Sequence, residues 1–166
     1  MYINEYAGIR AKIPEGLSQA SDSALEDNEA YNLSNCETNE DKIRESAIFY
    51  DAVFDNTTDG IEFRFENLPF AAPDDPNYDE NKYLDDNSSF VRGFYKDLPI
   101  TLEYQGRSEA VLNGQVYIRD IYTLSGNEGT QTLAYYARKL DDKLMCVIEI
   151  YWFGDETVED YEKIFE

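Results

Sequence analysis

The hydrophobic pattern in the last third of the chain predicts three consecutive strands of one antiparallel sheet. Each segment is rich in β-branched and aromatic residues, and clusters of Gly, Asn, Asp and Lys separate them: 115–124, 131–140 and 144–153. Such runs, bounded by turn residues, are typical of strands joined by hairpins. We expect the rest of the chain to pack onto this sheet.

The last of these strands, residues 144–153, is apolar at every position except Glu149. Successive side chains of a strand point to opposite faces of its sheet, so a strand that is apolar on both faces must be covered on both. The pattern therefore predicts a central strand and a layered, sandwich-like fold.

Four shorter segments upstream also have strand character. They are residues 9–13, 47–54, 61–65 and 100–104. In the third of them the apolar residues alternate cleanly, which predicts that Glu62, Arg64 and Glu66 point outward. Asn113 and Gly114 predict a tight turn into the sheet.

Residues 55–60 predict a hairpin turn between two of these strands. Residues 55–66 also resemble a calcium loop, with acids at its first, fifth and twelfth positions and glycine at its sixth. We reject a calcium site, because an EF-hand needs flanking helices and an apolar eighth residue. Here the flanks are strands and the eighth residue is Glu62.

Three helices are predicted. A capping box at residues 23–26 predicts a short helix through Tyr31. Asn77, followed three residues later by Glu80, predicts the start of a longer helix that Leu98 and Pro99 end.

The longer helix carries a stripe of apolar residues that predicts a buried face. The stripe consists of Tyr83, Leu84, Phe90, Val91, Phe94 and Tyr95. Asp155 predicts the N-cap of a closing helix whose apolar face carries Val158, Tyr161 and Phe165.

Length and charge narrow the functional classes. A chain of 166 residues predicts one domain, residues 1–166, with its own core. The 35 acidic and 14 basic residues give a net charge of −21, which repels nucleic acid and anionic membranes. We expect a protein partner with basic character and no nucleic acid, while solubility alone also explains such a charge.

Two sets of side chains are candidates for partner binding. The first is a group of acids at the entrance of the longer helix: Asp74, Asp75, Asp85 and Asp86. Acids near a helix N-terminus also interact favourably with the helix dipole, which gives them a structural role. Weak binding of divalent cations is an alternative role. The second set consists of tyrosines that we expect to be exposed: Tyr104, Tyr117 and Tyr151.

The sequence lacks the usual catalytic equipment. It contains no histidine, which excludes histidine triads, histidine metal ligands and histidine proton shuttles. It also lacks a phosphate-binding loop, and neither Cys36 nor Cys146 has a basic neighbourhood that favours the thiolate. We predict no enzyme, no cofactor and no metal; a bridge between the two cysteines and a hydrolase that uses paired carboxylates on glycans stay open as alternatives.

Residues 6–17 and the segments around the hairpins resemble the PsbP-like superfamily. The matching residues are Tyr6, Ala7, Gly8 and Ile9, then Ile13, Pro14, Glu15, Gly16 and Leu17, then Asn113 with Gly114, the turn Asp141, Asp142 and Lys143, and the closing acidic helix. Lys143 departs from the Gly more common there. The superfamily includes the extrinsic photosystem subunit P, the Mog-type Ran-binding proteins and small bacterial exported lipoproteins.

This resemblance implies an α+β fold, a single-domain α/β/α sandwich in which helices flank a mainly antiparallel sheet of about six or seven strands. It also implies a non-catalytic domain of a bacterial envelope protein that binds or assembles with a protein partner. No apolar run reaches the roughly 20 residues of a membrane helix, and residues 1–6 have no export signal. We therefore expect a mature exported domain, with a cytoplasmic acidic antagonist of immunity type as the alternative.

Overall fold

A computed structural model describes residues 1–25 and 48–165 of the chain. Its strands are β1 (Tyr2–Asn4), β2 (Ile9–Ala11), β3 (Ser18–Gln19), β4 (Ile48–Asp55), β5 (Gly60–Asn67), β6 (Thr101–Leu112), β7 (Gln115–Gly126), β8 (Gly129–Lys139) and β9 (Leu144–Phe153). Its helices are α1 (Leu68–Ala71), α2 (Glu80–Tyr95) and α3 (Val158–Glu162), and a 3₁₀ turn covers Lys163–Phe165.

Seven strands form one antiparallel sheet in the order β3-β4-β5-β9-β8-β7-β6, and β1 and β2 form a separate hairpin. β9 lies in the middle of the sheet, which confirms the prediction from its two-sided apolar pattern. Its even-numbered residues, such as Ile148 and Trp152, belong to one buried cluster, and Met145 and Val147 belong to the other.

Different elements cover the two faces of the sheet. The hairpin β1–β2, α3 and the 3₁₀ turn cover one face, where Ile9 and Phe165 are buried. α1 and α2 cover the other, where Leu84 and Val91 are buried. The mainly antiparallel sheet is therefore confirmed. The fold is more β-rich than the predicted α/β/α sandwich, because a hairpin and one short helix form most of one outer layer.

β6 is much longer than the predicted strand at residues 100–104. It pairs with β7 from Thr101 to Leu112, and Asn113 and Gly114 close this hairpin with φ angles of 49° and 75°. The rest of β6 was not predicted because residues 105–109 lack the alternation of apolar and polar positions that indicates a strand. An edge strand tolerates polar side chains on both faces.

The predicted helix caps need correction. Asp79, rather than Asn77, caps α2: its carboxylate accepts hydrogen bonds of 3.0 Å from the backbone N–H groups of Asn81 and Lys82. α2 ends at Tyr95, ahead of Leu98. Thr157, rather than Asp155, caps α3 in a capping box with Asp160.

The remaining boundary predictions have mixed outcomes. The hairpin turn at residues 55–60 is confirmed, and β2 ends two residues before Ile13. Residues 22–25 are helical, but the rest of the helix predicted through Tyr31 lies outside the described residues, as does residue 47 of the predicted second strand.

Candidate partner-binding surface

α2 presents an exposed aromatic surface beside its buried face. Tyr83, Leu84 and Val91 pack against the sheet, whereas the Phe90 and Phe94 side chains are 69% and 61% exposed. The prediction that these two phenylalanines belong to the core is wrong. Each lies on the flank of the helix, because successive residues turn by about 100° and the sheet covers only part of the helix circumference.

We call Phe90, Phe94 and Leu98 the aromatic stripe. The two rings stack with their centroids 6.2 Å apart and an angle of 28° between their planes. Leu98 follows four residues after Phe94, beyond the end of α2, and is 46% exposed. Three large apolar side chains are thus exposed within a short segment of a strongly acidic protein.

Two acidic residues lie close in sequence to the aromatic stripe. Asp86 lies four residues before Phe90, and so one helical turn away on the same side of α2. Asp97 lies beyond the end of α2, with its side chain 86% exposed and its carboxylate 3.9 Å from the ammonium group of Lys96. Exposed apolar side chains with acids nearby are suited to a segment that carries both apolar and basic residues.

Ionic contacts beneath α2 hold the helix on the sheet. Nη1 of Arg64 lies 2.9 Å from Glu149 and 3.4 Å from Glu62, and Nη2 donates a hydrogen bond of 3.2 Å to the Tyr83 hydroxyl. The prediction that Glu62, Arg64 and Glu66 point outward to solvent is therefore wrong. Their face of the sheet is the one that α2 covers, and Glu66 is only 8% exposed.

Glu62 is the pH-sensitive member of this group. Burial, and next the charge of Glu149, raise the pKa of Glu62 to about 7, against the opposing effect of Arg64. Asp55 adds a smaller repulsion. Two carboxylates share one guanidinium here, so a proton on Glu62 relieves their repulsion.

A second ionic group joins α2 to the other half of the sheet. Arg107 on β6 binds the fully buried carboxylate of Asp120 on β7, and the Tyr104 hydroxyl donates to the same carboxylate at 3.0 Å. Nη1 of Arg107 also lies 3.0 Å from Asp85 on α2. The sequence analysis did not predict this group. The pattern that could have indicated it is Asp120, an acid that alternates along β7 on the same face as apolar residues.

The four predicted acids lie close together along the chain, but most have internal roles. Asp75 pairs with Lys82 at 2.6 Å, Asp85 pairs with Arg107, and Asp86 accepts a hydrogen bond of 2.8 Å from the Tyr78 hydroxyl. The contact with Lys82 is the largest factor that lowers the pKa of Asp75. Asp74 is exposed. These carboxylates organise the entrance of α2 and still contribute negative charge to its surface.

The three predicted tyrosines are in different environments. Tyr104 is 41% exposed, as expected. Tyr117 is only 1% exposed, so the prediction that it is available to a partner is wrong; its hydroxyl lies 3.9 Å from Sγ of Cys146. Alternation assigned Tyr117 to one face of β7, but it did not show that β1–β2 and α3 cover that face. Tyr151 is partly buried, not exposed as predicted, and packs against the apolar cluster on the face that α2 covers.

Groups capable of chemistry are sparse in the described part of the chain. Within residues 1–25 and 48–165, no cluster of three or more His, Cys, Asp or Glu residues could hold a metal ion. Cys146 is a buried free thiol whose pKa burial raises to about 11, and Cys36 lies outside the described residues. None of the described helices is both long enough and apolar enough to span a membrane.

No protein-family model matches the chain, and a search of curated proteins found no match. The resemblance to the PsbP-like superfamily therefore stays a prediction.

Proposed function

We propose that this chain is a non-enzymatic protein-binding domain that docks a basic partner on the aromatic stripe of α2. The exposed stack of Phe90 on Phe94 carries this proposal. Exposed apolar patches on soluble proteins commonly mark interaction sites, and aromatic residues dominate the binding energy of many interfaces.

Charge determines the kind of partner. The net charge of −21 accelerates association with a basic protein and disfavours acidic ones. Asp86 and Asp97 place negative charge close in sequence to the residues of the aromatic stripe. We therefore expect the partner segment to present apolar side chains to Phe90, Phe94 and Leu98 and basic side chains at the margins.

Two biological settings fit this binding mode. The resemblance to PsbP-like proteins favours an assembly domain of an exported or lipid-anchored bacterial envelope protein. The large negative charge favours the alternative, a cytoplasmic antagonist that neutralises a basic protein in the manner of an immunity protein. A carboxylate-driven hydrolase finds less support, since Glu62 and Glu149 are bound to Arg64 beneath α2.

The test is affinity capture from separate envelope and cytosolic extracts of the source cells, followed by binding of the purified partner. The baits are the unaltered chain, the double variant Phe90→Ser/Phe94→Ser, and a matched control, Phe49→Ser, which changes a phenylalanine that is 49% exposed on β4. We expect one basic partner that binds the unaltered chain and the control but not the double variant. Equal binding to all three baits would refute the role of the stripe.

Salt separates the two settings. Apolar docking survives high ionic strength, whereas attraction between exposed charges is screened beyond a Debye length of about 8 Å at physiological ionic strength. A salt-resistant envelope partner supports the assembly domain, and a salt-labile cytosolic partner supports the antagonist.

A further inference from the structure

One side of the outermost strand β6 has no backbone partner among the described residues. β6 is twelve residues long and pairs with β7 on one side only. No backbone hydrogen bond joins β6 to any described residue outside β7. At the opposite end of the sheet, β3 has only two residues. β6 is thus the long edge of the described sheet.

A bulge divides this edge into two parts. The register with β7 shifts between Tyr104 and Gly106, and Gly106 has a φ angle of 127°, which favours glycine. Beyond the bulge, residues 107–112 pair with β7 without interruption. We call these six residues the open edge.

The exposed side chains along the open edge are acidic and apolar. Arg107 is neutralised by Asp120, so the exposed charge is that of Glu109, which forms no ion pair with another described residue. Val111 and its cross-strand neighbour Val116 are 66% and 53% exposed. An acid and an apolar pair thus alternate along one face of the edge.

A cleft continues the open edge at its far end. It has a volume of ≈480 Å³ and lies between the β6–β7 turn and α3, lined by Val111, Asn113, Gly114, Glu159, Glu162, Lys163 and Phe165. Its wall combines two carboxylates, the ammonium group of Lys163 and apolar surface. Glu162 is bound by Arg119, and the Glu159 side chain is 66% exposed.

We propose that the open edge of β6 accepts an extended segment of a basic protein as an additional strand, with basic and apolar residues alternating along that segment. Strand addition of this kind gains affinity from main-chain hydrogen bonds and specificity from alternate side chains. A second copy of this chain is the less suitable occupant, because each copy carries a charge of −21. The site is separate from the aromatic stripe and does not depend on it.

The test uses the full chain and a synthetic eight-residue peptide in which Lys and Val alternate, capped at both ends. We expect amide hydrogen exchange of the protein to slow at residues 107–112 when the peptide binds. A peptide with the same composition in two blocks, four Lys followed by four Val, is expected to bind about tenfold more weakly, because it cannot match the alternation of a strand. Slowing confined to other residues, or equal binding of both peptides, would overturn the proposal.

Two N-methylated peptides test the backbone ladder directly. In each peptide every second amide is methylated, and the two peptides differ in which set of alternate amides carries the methyl groups. Because alternate amides of a strand point to opposite edges, one of the two peptides has its methyl groups on the edge that faces β6. We expect at least one to lose about tenfold in affinity although its charge is unchanged, since a methylated amide cannot donate a hydrogen bond. Undiminished binding of both would show that only the acidic field of the protein holds the peptide.

Matched protein variants locate the site. We expect Glu109→Lys to weaken peptide binding by about fivefold more than Glu128→Lys, which makes the same charge change in the exposed β7–β8 turn. Equal effects would contradict a site at the open edge. Phe90→Ser/Phe94→Ser is expected to leave peptide binding unchanged, so failure at the open edge and failure of the aromatic stripe are distinguishable.

Discussion

Arg107 holds the carboxylate of Asp120 with two parallel hydrogen bonds, Nε to Oδ1 and Nη2 to Oδ2, each 2.8 Å long. The Asp120 side chain is fully buried, whereas that of Arg107 is 24% exposed. Since Asp85 on α2 contacts the same guanidinium, this pair joins β6 and β7 to the helix that carries Phe90 and Phe94.

Arg107→Met should destabilise the fold by about 3 to 5 kcal/mol, because it leaves the Asp120 charge buried without a counter-charge. Urea unfolding followed by circular dichroism measures this loss. The control Lys143→Met removes a positive charge from an exposed turn and should change the free energy of unfolding by less than about 0.5 kcal/mol.

The double variant Arg107→Met/Asp120→Leu should recover most of that stability, since replacing both members of a buried ion pair by apolar residues is often close to neutral. If the double variant is no more stable than Arg107→Met alone, the cost does not come from the unpaired Asp120 carboxylate.

Glu62 should give stability a pH dependence of defined sign. Its pKa is about 7 in the folded chain against an ordinary 4.5. The stability that its proton contributes is complete at low pH and is lost as the pH rises through the folded pKa. Glu62→Gln mimics the protonated form, so it should stabilise the fold relative to the unaltered chain by about 1 to 3 kcal/mol more at pH 8 than at pH 5.

Urea unfolding at several pH values across this range measures the difference. Glu103→Gln, on the exposed part of β6, is the matched control for the loss of one carboxylate. A Glu62→Gln effect that is the same at pH 5 and pH 8 would contradict the raised pKa of Glu62.

The aromatic stripe should be dispensable for folding. Phe90→Ser/Phe94→Ser removes two exposed rings and should change stability by less than about 1 kcal/mol. Leu84→Ala, at a fully buried position on the same helix, should cost about 2 to 5 kcal/mol. Thermal unfolding of the three proteins compares them, and a large loss in the double phenylalanine variant would mean that these rings belong to the core.

Asn113 connects three parts of the fold. Its Oδ1 accepts a hydrogen bond of 2.8 Å from the backbone N–H of Arg10, and its Nδ2 donates to the backbone carbonyl of Phe165. Its φ angle of 49° also favours Asn or Gly. Asn113→Ala should therefore cost about 2 to 3 kcal/mol, and Asn113→Gly about 1 kcal/mol less, because glycine loses the hydrogen bonds but removes the strain. Urea unfolding gives both values, and equal losses would show that backbone strain contributes nothing.

The sequence predicted the structure correctly where a pattern was compatible with only one structural environment. The apolar run of β9 could be satisfied only at the centre of a sheet, and Asn113 with Gly114 could form only a tight turn. The helical spacing of Phe90 and Phe94 was compatible with either a buried or an exposed position, since the apolar side of α2 is wider than the face that the sheet covers. Only the packing of Leu84 and Val91 decides between them.

The ionic groups beneath α2 were beyond prediction for a different reason. Arg107 and Asp120 are far enough apart in sequence that only the register of β6 against β7 brings them together. Glu62 and Arg64 alternate with apolar residues, as they would on a solvent-exposed face. Their burial follows from the position of α2, which local pattern does not specify.

The central place of β9 also affects how the chain is made. β9 comes after every other described strand in the chain, yet it pairs with β5 on one side and β8 on the other. Before β9 has been synthesised, β4–β5 and β6–β7–β8 can form only two separate half-sheets. In each half-sheet the strand that pairs with β9 in the folded protein, β5 or β8, has an edge without that partner. Because unpaired strand edges favour aggregation, we expect the nascent chain to be prone to aggregation until β9 inserts and pairs with both half-sheets.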